Sequence, residues 1–193
     1  MLPLVLASSS PYLRAILERL HLPFECHSPD IDESALPGEH PEQLVRRLAE
    51  CKARALTDRY PRHLIIGSDQ VAALPDGRIL GKPHDFARAR EQLLAASGSS
   101  VTFHTGLCLL NSQSGQTQVD CIPFTVHFRE LDEERIERYL HLEQPYDCAG
   151  SFKSEGLGIS LFRETCGTDA TSLVGLPLIR LIDMLLAEGV QIP

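Results

Sequence analysis

The segment HLIIGSDQV, residues 63–71, joins a short apolar run to a polar tip. An apolar run of this length is typical of a buried β-strand, and α/β proteins commonly bind ligands where such strands end. A lone buried carboxylate is costly and tends to become protonated, whereas a divalent cation and lysines beside it keep it ionised. We therefore predict that Asp69, at the tip of this strand, is a catalytic or metal-holding residue.

On both sides of this segment, short apolar runs alternate with amphipathic helical segments, which predicts the α/β class. We predict strands at 2–7, 24–28, 63–74, 78–81, 101–110 and 117–128, and helices at 11–20, 41–59, 85–96, 132–142 and 175–188. The turns PDG (75–77) and NSQSGQ (111–116) predict a hairpin and a long antiparallel pair. No repeat or linker sequence divides the chain, so one domain over 1–193 is expected.

Composition and charge exclude several classes of protein. The chain has a net charge of −8 and a pI near 5.4, whereas a nucleic-acid polymer needs clustered cations on one face. There is no C-x-x-C, H-E-x-x-H or H-x-x-x-H spacing for zinc, and no stretch approaches 18 consecutive apolar residues. We expect a reduced cytoplasmic protein that binds neither nucleic-acid polymers nor membranes.

One lysine lies among the apolar positions of the predicted helix 41–59. The apolar stripe at helical spacing consists of Leu44, Val45, Leu48, Ala49, Ala55 and Leu56. Lys52 falls in its middle. Either its stem packs while its amine reaches water, or the stripe lines a cleft in which Lys52 faces an anion.

Further cations lie beside predicted strand ends and helix starts: Arg14, Lys82 in LGKP and Lys153 in CAGSFKSEG. A helix start after ASSSP adds oriented N–H groups, since Ser10 can cap the helix and Pro11 fits its first position. Each cation alone is typical of a solvated surface. Together they predict a cradle for a polyphosphate.

The acidic residues that complement these cations lie in the loop PDIDES and at Asp69. Loop acids are usually just solvated, but carboxylates together with phosphate oxygens and water are the coordination that magnesium prefers. The segment GRILGKP is not a Walker A loop, because it has three residues between its glycines and Pro83 in place of Ser or Thr.

The whole chain resembles the Maf family of nucleotide pyrophosphatases. The resemblance is carried, in the family's order and spacing, by LASSSPYLRAIL, DIDES, RLAECKA, IIGSDQV, LGKP, ASG (96–98), CAGSFKSEG and LVGLPL. It looks most like the YceF-type branch, which acts on 7-methyl-GTP, because Gln70 follows the aspartate and SFKSEG replaces an AYGIQG-like segment. The fold that this resemblance implies is a two-lobed α/β structure, in which helices flank a bent mixed sheet and a central cleft separates the lobes.

The resemblance also implies roles for individual residues. Asp69 would be the proton acceptor, and the specificity positions would be Tyr12, Gln70 and Glu155. The other polar positions of the cleft would be Ser8, Glu33, Lys52, Lys82 and Lys153. Read from the residues alone, Tyr12 is better explained as a packing residue at a helix start, and Glu155 as a solvated loop acid.

One departure concerns the position after Tyr12. The family usually has an arginine where this chain has Leu13, and here the arginine is Arg14. A shift of one residue turns a side chain by about 100° around a helix, so the phosphate contact is either lost or moved to Arg14. Leu13 also extends the apolar stripe of its helix, which predicts a packing role.

The reaction implied by the resemblance is hydrolysis of a nucleoside triphosphate between its α and β phosphates, with Mg²⁺ or Mn²⁺ held by Asp69 and Glu33. Two alternatives remain open: a broader house-cleaning pyrophosphatase for modified or pyrimidine nucleotides, and a noncatalytic nucleotide-binding regulator linked to septum formation. The sequence leaves the oligomeric state open, and the resemblance favours a homodimer.

Overall fold

The computed structural model describes residues 2–192 and confirms the predicted α/β class. Its strands are β1 Leu4–Leu6, β2 Phe24–Cys26, β3 Leu64–Ala73, β4 Ile79–Leu80, β5 Ser100–Asn111, β6 Thr117–Phe128 and β7 Phe162–Gly167. Its α-helices are α1 Pro11–Leu17, α2 Pro41–Arg54, α3 Phe86–Ala96, α4 Glu133–Glu143 and α5 Leu178–Ala187. Within residues 2–192, no helix is long and apolar enough to cross a membrane.

The strands form a mixed sheet in the order β2-β1-β3-β5-β6-β7, and β4 pairs with β3. β1 is parallel to both β2 and β3, so that Leu4 pairs with Phe24 on one side and Leu64 on the other. The predicted hairpin is confirmed, because β4 runs antiparallel to β3 with Ala72 opposite Leu80. The predicted long pair is β5 and β6.

One secondary-structure prediction was wrong, and one strand was missed. The helix predicted over 41–59 ends at Arg54, because the N–H groups of Leu56 and Thr57 bond three residues back and tighten the chain into turns. Ala55 is therefore an exposed cap, and Ala53 is buried in its place. Strand β7 was not predicted, because all of its residues after Phe162 are exposed and its sequence shows no apolar alternation.

The chain divides into two compact units, as the two-lobed prediction expects. Within the described residues, the first unit takes in 2–69, 105–122 and 169–192, and the second takes in 70–104 and 123–168. The boundary in β3 falls between Asp69 and Gln70. The bend of the sheet, the cleft and the assignment of 1–193 to one domain stay predictions.

Each unit has its own apolar packing. In the first unit, the central strands pack with α1 and α5 around residues such as Leu6, Leu17 and Leu181, none of which is exposed. In the second unit, four phenylalanine rings meet edge to face, in a geometry that aromatic pairs prefer. These rings belong to Phe103, Phe128, Phe152 and Phe162.

Two glycines let α2 lie directly on the strand backbones of the first unit. A Cβ added to Gly67 in β3 would come within 2.0 Å of the Ala49 carbonyl oxygen. A Cβ added to Gly106 in β5 would come within 2.1 Å of the Val45 carbonyl oxygen. Because no side chain separates helix and strand at these points, Lys52, three residues after Ala49, lies close to Asp69. Asp69 is in the middle of β3 and not at its tip as predicted, because the strand continues through the polar residues to Ala73.

We predict that Gly67→Ala destabilises the protein, because the clashing atom belongs to a helix backbone that cannot move alone. Overpacking of this kind costs about 1–3 kcal/mol and occasionally more. Urea unfolding measures the change, and Gly81→Ala is the matched control, since a Cβ there meets nothing within 4 Å. Equal unfolding midpoints for the two variants would contradict the proposed close packing.

Candidate functional site

The first unit brings together three of the predicted site residues around one ammonium group. Lys52 Nζ lies 2.7 Å from Asp69 Oδ1 and 3.0 Å from Glu33 Oε1. The Lys52 and Asp69 side chains are only 13% and 9% exposed, whereas that of Glu33 is 59% exposed. Lys52 thus faces carboxylates within the protein, and its amine does not simply extend into water.

The charge state of Lys52 follows from these contacts. Burial alone would lower the pKa of its ammonium, but the charge of Asp69 and the hydrogen bonds to Asp69 and Glu33 outweigh burial and raise that pKa above its ordinary value. Lys52 is therefore a permanent cation at neutral pH. It can neutralise an anion and does not act as a base.

Ser68, the residue before Asp69, holds Asp69 in place. Ser68 is buried, and its hydroxyl lies 2.8 Å from the Gly106 carbonyl oxygen and 2.7 Å from that of Gly175. Successive side chains of a strand point to opposite faces. Because Ser68 is held on one face, the Asp69 side chain is directed to the other. The sequence gives no sign of this role for Ser68 beyond a polar residue inside a buried strand.

Glu33 lies in the loop before α2, and Arg47 of α2 holds this loop in place through hydrogen bonds. Arg47 donates from Nε and Nη2 to the two oxygens of Glu39, each at 2.7 Å, and from Nη2 to the Ser34 carbonyl at 3.0 Å. Glu39 also accepts a hydrogen bond from the Leu36 N–H. These contacts lower the pKa of Glu39 to about 2, chiefly through the hydrogen bonds from Arg47. Sequence reasoning missed this pair.

The start of α1 has the predicted cap and a local ion pair. The Ser10 hydroxyl accepts from the Leu13 N–H at 3.5 Å, and the Ser8 hydroxyl accepts from the Ser10 N–H at 3.1 Å. Arg14 Nε donates to Glu18 at 3.1 Å on the exposed face. Ser8 and Arg14 as phosphate ligands, and Tyr12, which is half-buried beside them, as a base contact, stay predictions.

The packing role predicted for Leu13 is confirmed. Its side chain packs on the same apolar cluster as Ile16 and Leu17. It also lies against Gly175, where an added Cβ would approach Leu13 Cδ1 to 3.1 Å. An arginine at this position would have to leave this apolar contact.

Four predicted residues belong to the second unit: Gln70, Lys82, Lys153 and Glu155. Lys82 is exposed in the segment after β4, and Gln70 is half-buried in β3. The Lys153 N–H donates to the Tyr139 hydroxyl at 3.2 Å, and Glu155 accepts from the Ser154 hydroxyl at 3.1 Å. That these residues and those of the first unit serve one site stays a prediction.

The carboxylates of Asp69 and Glu33 bind the Lys52 ammonium, and a divalent metal held by them stays a prediction. Among residues 2–192 there is no group of three or more His, Cys, Asp or Glu side chains that could hold a metal on its own. Asp69 and Glu33 nevertheless place two carboxylate oxygens within 3.0 Å of the same nitrogen. One or two carboxylates, completed by substrate phosphates and water, are the usual protein ligands of Mg²⁺.

Comparisons with known proteins show clear similarity over the whole chain. The family model described as "Maf-like protein" matches residues 3–188. A 7-methyl-GTP pyrophosphatase of Pseudomonas fluorescens (strain Pf0-1) is 73% identical over 193 residues, 100% of both chains. Proteins of the same name from Pseudomonas aeruginosa and Pseudomonas putida are 70% identical over 190 residues, 98% of both chains, and 67% identical over 193 residues, 100% of both chains.

One solved structure has a weaker likeness. The Staphylococcus aureus Ham1 protein aligns with 65% of this chain and 71% of its own, at a TM-score of 0.47 and 13% sequence identity. A likeness at this level carries no argument about function.

We predict that the Glu39–Arg47 pair makes stability depend on pH below neutrality. The pKa of Glu39 falls from an ordinary value of 4.5 to about 2 on folding, so its contribution is fully present above pH 4.5 and is lost as the pH falls towards 2. Glu39→Gln should therefore be less stable than the parent at pH 7, and this difference should shrink at pH 3. Urea unfolding across this range measures it.

The matched control is Glu134→Gln, which removes an exposed carboxylate from a pair with Arg138 on α4. Surface pairs of this kind contribute little to stability, so the control should differ little from the parent at any pH. A difference between the parent and Glu39→Gln that stays constant from pH 7 to pH 3 would contradict the prediction.

Proposed function

This chain belongs to the Maf family, and we propose that it hydrolyses 7-methyl-GTP to 7-methyl-GMP and diphosphate. Relatives named 7-methyl-GTP pyrophosphatase match it from end to end. The structural observation that carries the proposal is the contact between Asp69, in the middle of β3, and the buried Lys52 ammonium. This contact supplies a fixed carboxylate for water and a fixed cation for phosphate.

The proposed reaction breaks the bond between the α phosphate and its bridging oxygen to the β phosphate, or the corresponding bond on the β side. Water attacks the phosphorus, Asp69 accepts a proton from that water, and the bridging oxygen leaves with the bonding electron pair. An ordinary aspartate, with a pKa of about 3.9, is a weak base at neutral pH. Orienting the water therefore contributes more than removing its proton.

Phosphoryl transfer depends mainly on positioning and on neutralising charge. Lys52 provides the fixed cation, and its raised pKa keeps it charged. The other phosphate ligands in the proposal are Ser8, Arg14, Lys82 and Lys153. Asp69 and Glu33 are the residues that would hold Mg²⁺ or Mn²⁺, and such an ion, when bound, lowers the pKa of water and offsets phosphate charge.

Specificity for the methylated base has a physical basis, because methylation at N7 makes guanine cationic. Tyr12 would stack on the charged ring, an interaction worth about 0.5–2 kcal/mol. Glu155 would accept hydrogen bonds from the N1–H and the exocyclic amine while offsetting the ring charge. Gln70 would bind another polar edge of the base.

The proposal also includes a cytoplasmic location, a homodimer and a nucleotide as the physiological ligand in place of a nucleic-acid polymer. The net charge of −8 supports the last of these, because it disfavours broad attraction to phosphate polymers. The cytoplasmic location and the homodimer rest on the resemblance and on the sequence composition.

We expect diphosphate release from 7-methyl-GTP, with Mg²⁺ or Mn²⁺ present, to be faster than from GTP, dTTP and UTP. A colorimetric diphosphate assay on purified protein measures the four rates, and a chelator with and without added metal is the control. Equal rates on all four substrates would support a broad house-cleaning pyrophosphatase. Binding without turnover would support a noncatalytic regulator.

We expect Asp69→Asn to lower kcat by roughly 10²- to 10⁴-fold, the range in which acid–base groups contribute. Asn keeps the shape of the side chain but removes its charge and its basicity. Asp58→Asn, at an exposed position in the turns after α2, is the control and should keep the parent rate. Urea unfolding of each variant verifies the fold, and near-parent turnover by Asp69→Asn would remove Asp69 from the mechanism.

A further inference from the structure

A glutamine of α3 joins two segments of the second unit that each carry a lysine of the proposed phosphate site. Gln92 Nε2 donates to the Gly81 carbonyl oxygen at 3.1 Å. On its other side, the Ser151 hydroxyl donates to Gln92 Oε1 at 2.5 Å. Gly81 immediately precedes Lys82, and Ser151 lies two residues before Lys153.

Both lysines lie outside the helices and strands that fix most of the second unit. Lys82 follows β4, and Lys153 follows the short 3-10 helix Ala149–Ser151. The two segments are also linked by the His84 N–H, which donates to the Tyr146 carbonyl at 3.0 Å. Their positions therefore depend on a few specific hydrogen bonds.

Ser151 has a backbone conformation that needs external support. Its φ is 63°, in the left-handed region that non-glycine residues adopt at a cost. The residue is completely buried, so its hydroxyl needs a hydrogen-bond partner inside the protein. Gln92 is that partner, and it thereby stabilises the turn that leads to Lys153.

Other contacts hold the same segment beyond the turn. The buried Tyr139 of α4 accepts from the Lys153 N–H, and Glu143 of α4 accepts from the Leu157 N–H at 2.7 Å. These α4 contacts hold residues 153–157 only. Besides the backbone bond from His84 to Tyr146, Gln92 provides the side-chain link from this segment to the one carrying Lys82.

We propose that Gln92 is a positioning residue for phosphate binding, whose carboxamide holds the Lys82 and Lys153 segments together. The inference rests on the proposed function, because it takes both lysines as phosphate ligands. A glutamine amide accepts through its oxygen and donates through its nitrogen at the same time. Glutamate can accept from Ser151 but cannot donate to Gly81, and leucine can do neither.

The test compares Gln92→Leu and Gln92→Glu with the parent. A loss of two neutral hydrogen bonds should raise KM for 7-methyl-GTP, and the inhibition constant of diphosphate, by between about threefold and thirtyfold. The effect on kcat should be smaller, since Gln92 does not contact the reacting atoms. Gln118→Leu is the matched control, because Gln118 donates at 3.1 Å to the Met184 carbonyl within the first unit, whereas both lysine segments belong to the second.

A double-mutant cycle with Lys82→Ala separates positioning from general destabilisation. If Gln92 acts through the lysine, Gln92→Leu should change KM much less once Lys82 is absent. Equal, multiplicative effects in both backgrounds, or a KM change matched by Gln118→Leu, would overturn the proposal.

Amide hydrogen exchange provides a readout that does not depend on activity. Gln92→Leu should accelerate exchange in both 79–84 and 149–153, Gln92→Glu mainly in 79–84, and Gln118→Leu in neither. Unchanged exchange in Gln92→Leu would reject the coupling of the segments. If the parent protein fails to hydrolyse 7-methyl-GTP, the proposed function fails, and calorimetric binding of diphosphate to parent and variants then decides whether Gln92 positions a phosphate site.

Discussion

The contact between the Lys52 ammonium and the Asp69 carboxylate is the interaction on which the site depends. The ionised form of either side chain would be costly to bury alone, because burial removes its hydration and the opposite charge of the partner compensates for that loss. The contact requires α2 to approach β3 more closely than side chains normally allow, and Gly67 permits that approach. The packing of α2 and the proposed chemistry therefore depend on the same short stretch of β3. Gly67 lets the helix approach the strand, and Asp69, two residues later, binds Lys52.

The residues that support the site act mainly through backbone groups. Ser68 binds two carbonyls, Arg47 binds a carbonyl in the loop that follows Glu33, and Gln92 binds a carbonyl beside Lys82. These side chains fix the course of the backbone beside the charged residues that are proposed to bind the ligand. Because the supporting residues act on the backbone, removing one of them should alter ligand binding without removing a charge from the site.

Sequence reasoning recovered the parts of the structure that leave a local pattern. The apolar run before Asp69 predicted β3, and the position of Lys52 within an apolar stripe drew attention to a residue whose amine lies 2.7 Å from Asp69. The supporting residues left no such pattern, because their partners are distant in the chain: those of Ser68 are 38 and 107 residues away, and those of Gln92 are 11 and 59 residues away. Strand β7 was missed because its exposed residues carry no alternation.

The direct seating of α2 on β3 and β5 also limits how proteins of this kind can change over evolutionary time. Cores usually diverge by exchanging large and small side chains across an interface, but at Gly67 and Gly106 there is no side chain to exchange. The spacing there can widen only if the whole helix shifts, which would separate Lys52 from Asp69. Substrate range is therefore expected to diversify through the loops, while this helix and its two strands are inherited as a fixed unit.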